Sequence, residues 1–434
     1  MLLGRAVAWN VFGQVGVLSI GFVSSLLVAR WLGPEDRGLL AVVAYTAEIV
    51  VAVGGIGLTY AVVYFVSRPD SRPGAVLGNS ILYGLGLAAV FVPAFVLLRG
   101  PLSELTSGRG EAAWALAGLF VPLLFLDWCI HNQLFGRLRF GLLNLFLVGS
   151  RIVVLVLAVL LVGIAGYGVG GALISLMAAS LALIVATLIV ILPDVRPSID
   201  LRLLGEMISY GARVSVGWIF QILNYRADVL MLQLLTTLTS VGYYVVAQIV
   251  AELTLTFAAA LQSSVTALTA KAEGDPNQDE TMIASLRHQT LLTSTAIVLV
   301  AIGGPALVHF GYGAAYDDAI VPMLILLAGM LPLGAAAVVT GNLRGRGRPG
   351  ASSILAGITV VVTLGLDVLL IPPYGVTGAA IASVCAYWFY GIASVLTLAR
   401  STGLAARTLV LPTRRELEAY GRIARAALSR PASR

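Results

Sequence analysis

Long apolar runs, broken by short polar turns, set the pattern of this chain. Twelve runs stand out, near residues 7–29, 39–66, 76–98, 113–134, 141–163, 168–192, 213–236, 242–268, 289–310, 319–341, 351–371 and 377–399. A helix needs about 20 predominantly apolar residues to cross the hydrocarbon core of a bilayer. Each run therefore predicts one membrane-spanning helix. Most connections are short enough that successive helices must run antiparallel. Two links are longer, 193–212 and 269–288, and both carry charges. The first holds Leu201, Leu204 and Ile208 at helical spacing, which predicts a stretch lying along the interface. The opening run has no sizeable basic segment before it and reaches Val28. It reads as a retained helix rather than a cleaved signal.

Composition makes the membrane reading firm. Of 434 residues, 59% are hydrophobic and 11% charged. Soluble domains average about 25% charged. A water-exposed surface cannot be covered with so few charges, so a soluble enzyme, a disordered chain and a disulfide scaffold are excluded. Cys129 and Cys385 sit inside apolar runs, and His131, His288 and His309 are scattered. Neither set has disulfide or metal-ligand spacing. The net charge of +6 reads as a topology signal, not as a nucleic-acid surface. With the N-terminus in the cytoplasm, twenty of the 27 basic residues fall in cytoplasmic segments, including eight arginines of the tail. Four fall outside, namely Arg30, Arg37, Arg99 and Arg109. Three more, Arg151, Arg213 and Arg226, sit within or at the mouths of helices. An even number of spans then returns the C-terminus to the cytoplasm.

The chain also repeats itself. Gly166-Tyr167-Gly168-Val169-Gly170-Gly171-Ala172 recurs as Pro373-Tyr374-Gly375-Val376-Thr377-Gly378-Ala379, and Gln133 to Arg139 as Asn342 to Arg348. Arg37-Gly38-Leu39-Leu40 answers Val241-Gly242-Tyr243-Tyr244. The offsets, 207, 209 and 204 residues, are nearly constant and span six helices. Six is even, so the halves share one topology and are related by an axis along the membrane normal, with a cavity expected between them.

The first hairpin reads Ser24-Ser25-Leu26-Leu27-Val28-Ala29-Arg30-Trp31-Leu32-Gly33-Pro34-Glu35-Asp36-Arg37-Gly38. This hairpin resembles the opening of polysaccharide and oligosaccharide flippases of the Wzx type. They belong to the MOP (multidrug/oligosaccharidyl-lipid/polysaccharide) exporter superfamily, which also holds the MATE multidrug extruders. Gly341 to Pro349, with Ile371 to Ala382, resembles that family's late hairpin. The resemblance implies an all-α integral membrane protein of about twelve transmembrane helices in two six-helix bundles. The bundles would be 1–197 and 198–400, followed by a basic cytoplasmic tail, 401–434. It further implies a transporter, not an enzyme, in the bacterial cytoplasmic membrane with both termini cytoplasmic. By alternating access it would flip an undecaprenyl-diphosphate-linked oligosaccharide for surface polysaccharide assembly. Its partners would be that substrate, membrane lipid, H⁺ or Na⁺ for coupling, and polymerase or assembly proteins. Lipid II flippases of the superfamily typically have fourteen helices and basic residues in the first. Multidrug extruders typically carry a carboxylate there. Residues 7–29 hold neither. A gradient-driven small-molecule exporter and a non-transporting assembly scaffold remain as alternatives.

No metalloprotease motif, phosphate loop or cysteine cluster occurs, and no cofactor or metal is expected. Transport would draw on a gradient. The informative residues are ionisable ones at membrane depth, where each charge costs about 2.5–3.5 kcal/mol. They are Glu48, Asp127, His131, Arg151, Arg226, Asp228, Glu252 and Asp367. His131 and Asp367 lie near predicted helix ends, where pairing or the interface explains them. Arg226 and Asp228 are about 200° apart on a helix and cannot face one cavity. Asp228 matches an acidic position that the family often carries in its seventh helix. Val229 stands where a basic residue usually follows. Guanidinium forks suit phosphate oxygens, so Arg226 and Arg151, from opposite halves, are the diphosphate candidates. Asn10, Gln14, Gln221 and Asn224 are candidates for a polar cavity lining, and Glu48, Asp228 and Glu252 for the coupling ion. Tyr210, Tyr225, Tyr243 and Tyr244 suit either sugar stacking or interfacial anchoring. Thr413-Arg414-Arg415-Glu416 has capping-box spacing and predicts a basic amphipathic helix on the inner leaflet. The topology is tested by reporter fusions: one after residue 37 should report outside and one after residue 346 inside.

Overall fold

The computed structural model describes residues 2–256, 258–259, 278–345, 349–403 and 405–413, with only the backbone of 2–15, 278–281, 344–345, 349, 351 and 401–402. All regular elements among the described residues are helical. Leu2–Gly54 is broken at Gly33, whose φ of 75° and ψ of 172° lie outside any helix. It is therefore two elements, α1 (2–32) and the start of α2 (34–54). Pro34 follows the break, where a missing N–H is tolerated. After a second break, in which Ile56 and Gly57 have positive φ, α2 resumes as Leu58–Ser67. There follow α3 (Pro73–Leu97), α4 (Glu111–Gly136), α5 (Phe140–Ala158, with a widened turn Val159–Ile164) and α6 (Gly168–Ile191). The next are α7 (Leu201–Leu235), α8 (Leu238–Glu252), α9 (Gln278–Ala306) and α10 (Ile320–Gly345). Pro349–Thr402 is again divided by a glycine, Gly375 with φ 55°, into α11 (349–374) and α12 (376–402). A short helix α13 (Ala406–Val410) ends the described chain.

Nine described helices are long and apolar enough to cross a membrane. Two of these, Gly16–Gly54 and Ser352–Arg400, are each a pair divided at Gly33 and Gly375. The 35-residue α7 is long enough too, but more polar. The described residues thus hold the twelve expected spans.

Two expectations need correction. Leu201, Leu204 and Ile208 do not lie in a separate interfacial stretch; they form the first turns of α7. Asp200 caps that helix by accepting from the Leu203 N–H at 3.0 Å, and no proline interrupts the helix before Leu235. α9 begins at Gln278 rather than near 289. Cys385 is exposed, while Cys129 is buried. Residues 269–277 of the second long link, and the tail helix expected from Thr413 apart from Thr413 itself, fall outside the described residues. Within the tail, α13 is docked rather than free. Leu409 is buried with Met282, Leu286 and Leu398, and the Arg287 guanidinium donates to the Thr408 carbonyl at 2.7 Å.

The internal repeat has a physical counterpart. Gly168 and Gly375, equivalent in the repeat, both have positive φ and both open a helix hairpin's second arm. Gly38 and Gly242 sit where α2 crosses α8. A side chain on Gly38 would collide with the Leu238 carbonyl, and one on Gly242 with the Pro34 carbonyl. The contact is reciprocal because 242 − 38 and 238 − 34 both give 204, the repeat offset. At a second crossing, Gly57 meets Gly211 and brings α2 onto α7 backbone to backbone.

Packing follows the order of the chain. α3 lies on α4, α6 on α4 and α5, α9 on α10, and α10 on α11 and α12. The first six helices meet the last six chiefly through α1 and α2 against α7 and α8. The link between them is strapped to α3. Asn79 exchanges two hydrogen bonds with the Asp200 backbone, at 2.8 and 3.1 Å, and Arg72 pairs with the Asp200 carboxylate at 3.0 Å.

Overpacking of a tight contact costs about 1–3 kcal/mol. Gly38→Ala and Gly242→Ala should therefore each lower the thermal midpoint of the detergent-solubilised protein by several degrees. Gly86→Ala, where a side chain would meet nothing, should leave it unchanged or raise it.

Candidate functional site

A cavity of about 670 Å³ lies between the two sets of helices. It is lined by Val17 and Leu18 of α1, Glu48 of α2, Trp128 of α4, Asn144 and Leu147 of α5, Trp218, Tyr225 and Arg226 of α7, and Glu252 of α8. Trp128, Asn144, Leu147 and Glu252 come from the ends of α4, α5 and α8 that point away from the Gly38–Gly242 crossing. The molecule is therefore closed at the crossing and hollow toward the opposite end.

Arg226 is the cavity's cation, and it is not alone. Its Nε donates to the Glu48 carboxylate at 2.9 Å, and its guanidinium carbon stands 4.0 Å over the Tyr45 ring. The pair is about a quarter exposed, at 25% and 28%, so water reaches it. A charge-assisted hydrogen bond of this kind contributes about 1.5–3 kcal/mol, and the cation–π contact about 0.5–2 kcal/mol. Helix rotation explains why Arg226 faces the cavity. The Gly57–Gly211 crossing and the aromatic contacts Tyr60–Trp218 and Trp128–Trp218, at 5.9 and 6.3 Å, fix α7 against α2 and α4.

Arg151 is elsewhere. It lines a second cavity of about 210 Å³ within α1, α2, α5 and α6, together with Arg37, Ser24, Ser25, Tyr45 and Ser175. Glu48 lines both cavities, and Tyr45 lines the second. Tyr45, Glu48 and Arg226 are thus the partition between them. The expected pairing of Arg226 with Arg151 across one cavity is not what the side chains do: the two guanidiniums face different chambers.

Asp228, two residues beyond Arg226, points into the packing of α7, α8 and α12. Tyr244 donates to its carboxylate at 2.5 Å, the Val229 N–H at 2.8 Å and the Ser383 hydroxyl at 3.4 Å. Asp367 of α11 is fully buried within electrostatic range of Asp228, and neither of its oxygens has a hydrogen-bond partner. Its position near a predicted helix end had argued for pairing or the interface; a buried, unpartnered carboxylate is neither. Asp127 and His131, by contrast, satisfy each other at 3.3 Å one turn apart.

The polar candidates divide as well. Asn224 donates to the Phe220 and Ala356 carbonyls at 3.0 and 2.9 Å. With Gln221 it lines a gap of only about 20 Å³ against α10, α11 and α12. This polar face of α7 packs on its own half rather than on the main cavity. The side chains of Asn10 and Gln14 lie outside the described residues. Of the tyrosines, Tyr225 lines the main cavity, Tyr244 is buried on Asp228, Tyr210 stacks on Tyr64 at 4.2 Å, and Tyr243 packs edge-on to Tyr316. Trp128, Trp218 and Arg37 escaped the sequence reading. The tryptophans lie on different helices and are brought together only by packing, and Arg37 was counted as an outer-loop charge. Among the described residues, no group of three or more His, Cys, Asp or Glu side chains is placed to hold a metal ion.

Residues 3–268, more than half of the chain, match the family described as Polysaccharide biosynthesis protein. The chain belongs to that family. Among curated relatives of this member, the succinoglycan biosynthesis transport protein ExoT of Rhizobium meliloti (strain 1021) is 28% identical over 183 residues. That match covers 41% of this chain and 35% of the relative, so the chain spans about a third of that protein's length. The probable low-salt glycan biosynthesis flippase Agl15 of Haloferax volcanii is 25% identical over 384 residues, covering 87% of this chain and 79% of the relative. Solved structures agree in fold. An inward-facing MATE family transporter of the MOP superfamily superposes with a TM-score of 0.74 at 15% identity, covering 98% of this chain and 100% of that one. The lipid II flippase MurJ in an inward closed conformation gives 0.71 at 16% identity, covering 100% of this chain and 94% of that one. The fold is that of a MOP-superfamily transporter.

Glu48 competes with any anion for Arg226. Glu48→Gln should therefore raise the affinity of the purified protein for inorganic pyrophosphate severalfold, measured by isothermal titration calorimetry. An unchanged or lower affinity would mean that the pair is structural.

Proposed function

We propose that this protein is a flippase for an undecaprenyl-diphosphate-linked oligosaccharide in the cytoplasmic membrane, working by alternating access between bundles 1–197 and 198–400. The observation that carries this reading is the solvated cavity between the halves, closed at one end and lined by an arginine beside aromatic side chains. A guanidinium that stays charged when dehydrated suits a phosphate headgroup. Trp128, Trp218 and Tyr225 offer flat faces to sugar rings, and the lipid tail remains in the bilayer. With both termini cytoplasmic, the hollow end faces the cytoplasm, where such substrates are assembled. Polymerase or assembly proteins would receive the product outside.

In this reading the diphosphate meets Arg226 only after Glu48 has been displaced or neutralised. Glu48 and Glu252 both line the cavity, so a proton or cation entering with the substrate removes the repulsion they would otherwise exert on an anion. The second place for coupling is the buried carboxylate pair of Asp228 and Asp367. Asp228 has its hydrogen-bond donors, whereas Asp367 has none, and burial of a bare carboxylate is costly. A proton or Na⁺ at Asp367 removes that cost, and its release would favour a rearranged packing of α7, α11 and α12. Membrane potential, negative inside, assists outward movement of each headgroup charge by about 2.3 kcal/mol per 100 mV.

One observation favours a second reading. Arg226 faces two carboxylates in the main cavity, a formal excess of one negative charge, which suits an exporter of cationic compounds. Both readings are tested together in reconstituted vesicles. A fluorescent polyisoprenyl-diphosphate saccharide should be flipped by the native protein. Arg226→Ala should lose about tenfold or more of that rate, and Arg226→Lys should stay impaired because two-point pairing is gone. Proton-driven efflux of a cationic dye, without saccharide flipping, would reverse the assignment.

A further inference from the structure

We propose that the smaller cavity is a second phosphate station, built from Arg37 and Arg151, on the far side of the Tyr45–Glu48–Arg226 partition. The nature of the phosphate's bearer rests on the flippase reading; the site itself does not.

Three observations carry it. The first is the state of the two guanidiniums. Among the described residues neither has a carboxylate within ion-pair distance. Arg37 donates from Nη2 to the Ser25 hydroxyl at 3.2 Å, but its Nε is buried and has no acceptor. A buried, unmatched N–H on a fixed cation calls for an anionic oxygen. The second is charge. The main cavity sets Arg226 against Glu48 and Glu252. The smaller one sets Arg37 and Arg151 against the shared Glu48 alone. An anion entering from the hollow end therefore finds the more positive surroundings beyond the partition. The third is position. Arg37 adjoins Gly38, which forms the closed crossing. A phosphate held there has passed the depth of Glu48 and waits beneath the closed end.

The charged donors of this cavity favour phosphate oxygens over sugar hydroxyls. The Ser24 and Ser175 hydroxyls already donate to the Ile20 and Gly171 carbonyls, at 2.8 and 2.7 Å. The N–H donors facing the cavity are thus guanidinium groups, which match phosphate in a two-point geometry. In the resulting sequence, the headgroup displaces Glu48 from Arg226, passes Tyr45, and is taken by Arg37 and Arg151, after which Glu48 returns to Arg226 and the partition is restored behind it. The partition is a check valve made from one ion pair.

The test uses the full chain in detergent, with inorganic pyrophosphate and undecaprenyl diphosphate as separate probes in calorimetry. Arg37→Gln and Arg151→Gln should each weaken pyrophosphate binding at least tenfold, and Arg37→Lys by a smaller factor. Melting without ligand reports whether each variant is folded, and Arg37→Lys serves should Arg37→Gln not be. Pyrophosphate affinity at the native level in folded Gln variants would overturn the site, as would native protein that binds neither probe. If phosphatidylglycerol micelles displace undecaprenyl diphosphate at equal concentration, the station serves bilayer phospholipid and its role in substrate transfer is overturned. A flipping assay on the same variants separates the two claims. Flipping that survives both Gln substitutions overturns the station's role in substrate transfer and leaves the flippase. Arginine-dependent pyrophosphate binding without any saccharide flipping supports the station and sinks the flippase.

Discussion

A cation held at bilayer depth must have a counter-charge or water against it, and much of this molecule is arranged around how Arg226 obtains both. Its Nε bond to Glu48 joins α7 of one half to α2 of the other. That bond, with the Tyr45 ring beneath it, forms because the Gly57–Gly211 crossing and the Trp218 contacts set the rotation of α7. Once Arg226 faces the lumen, Asp228 must turn into the packing of α8 and α12, and Asn224 must turn onto α11. The positions of these two other polar residues follow from that rotation and the 100° step of a helix.

The spans were legible because burial in lipid demands long apolar runs, and the glycine punctuation was legible because a left-handed turn needs it. Gly33 and Gly375 divide helices where the sequence breaks predicted hairpins. The start of α7 was misread because Leu201, Leu204 and Ile208 suit an interfacial helix as well as the first turns of a span. Only the Asp200 cap and the unbroken helix that follows decide it.

The site was harder to read, for a physical reason. In these helices both faces are apolar, so periodicity does not say which way a given residue points. Arg226, Glu48 and Glu252 were identified as charges that needed explaining, and they do share a cavity. That Arg151 shares its chamber with Arg37, and that Asp367 is bare beside Asp228, depends on helix rotations that only packing determines. Trp128 and Trp218 meet across ninety residues of chain, a proximity that no local pattern encodes.

The crossing of α2 and α8 consists of backbone against backbone, Gly38 on the Leu238 carbonyl and Gly242 on that of Pro34. Such a seal contains no group that takes up or loses a proton and no charge that salt can screen. Acidity and ionic strength therefore act on the chambers and leave the barrier between them and the far side indifferent. Whatever opens that barrier must move whole helices apart, and it must do so from a distance. The tightness of the barrier and the response to charge are in this way assigned to different atoms.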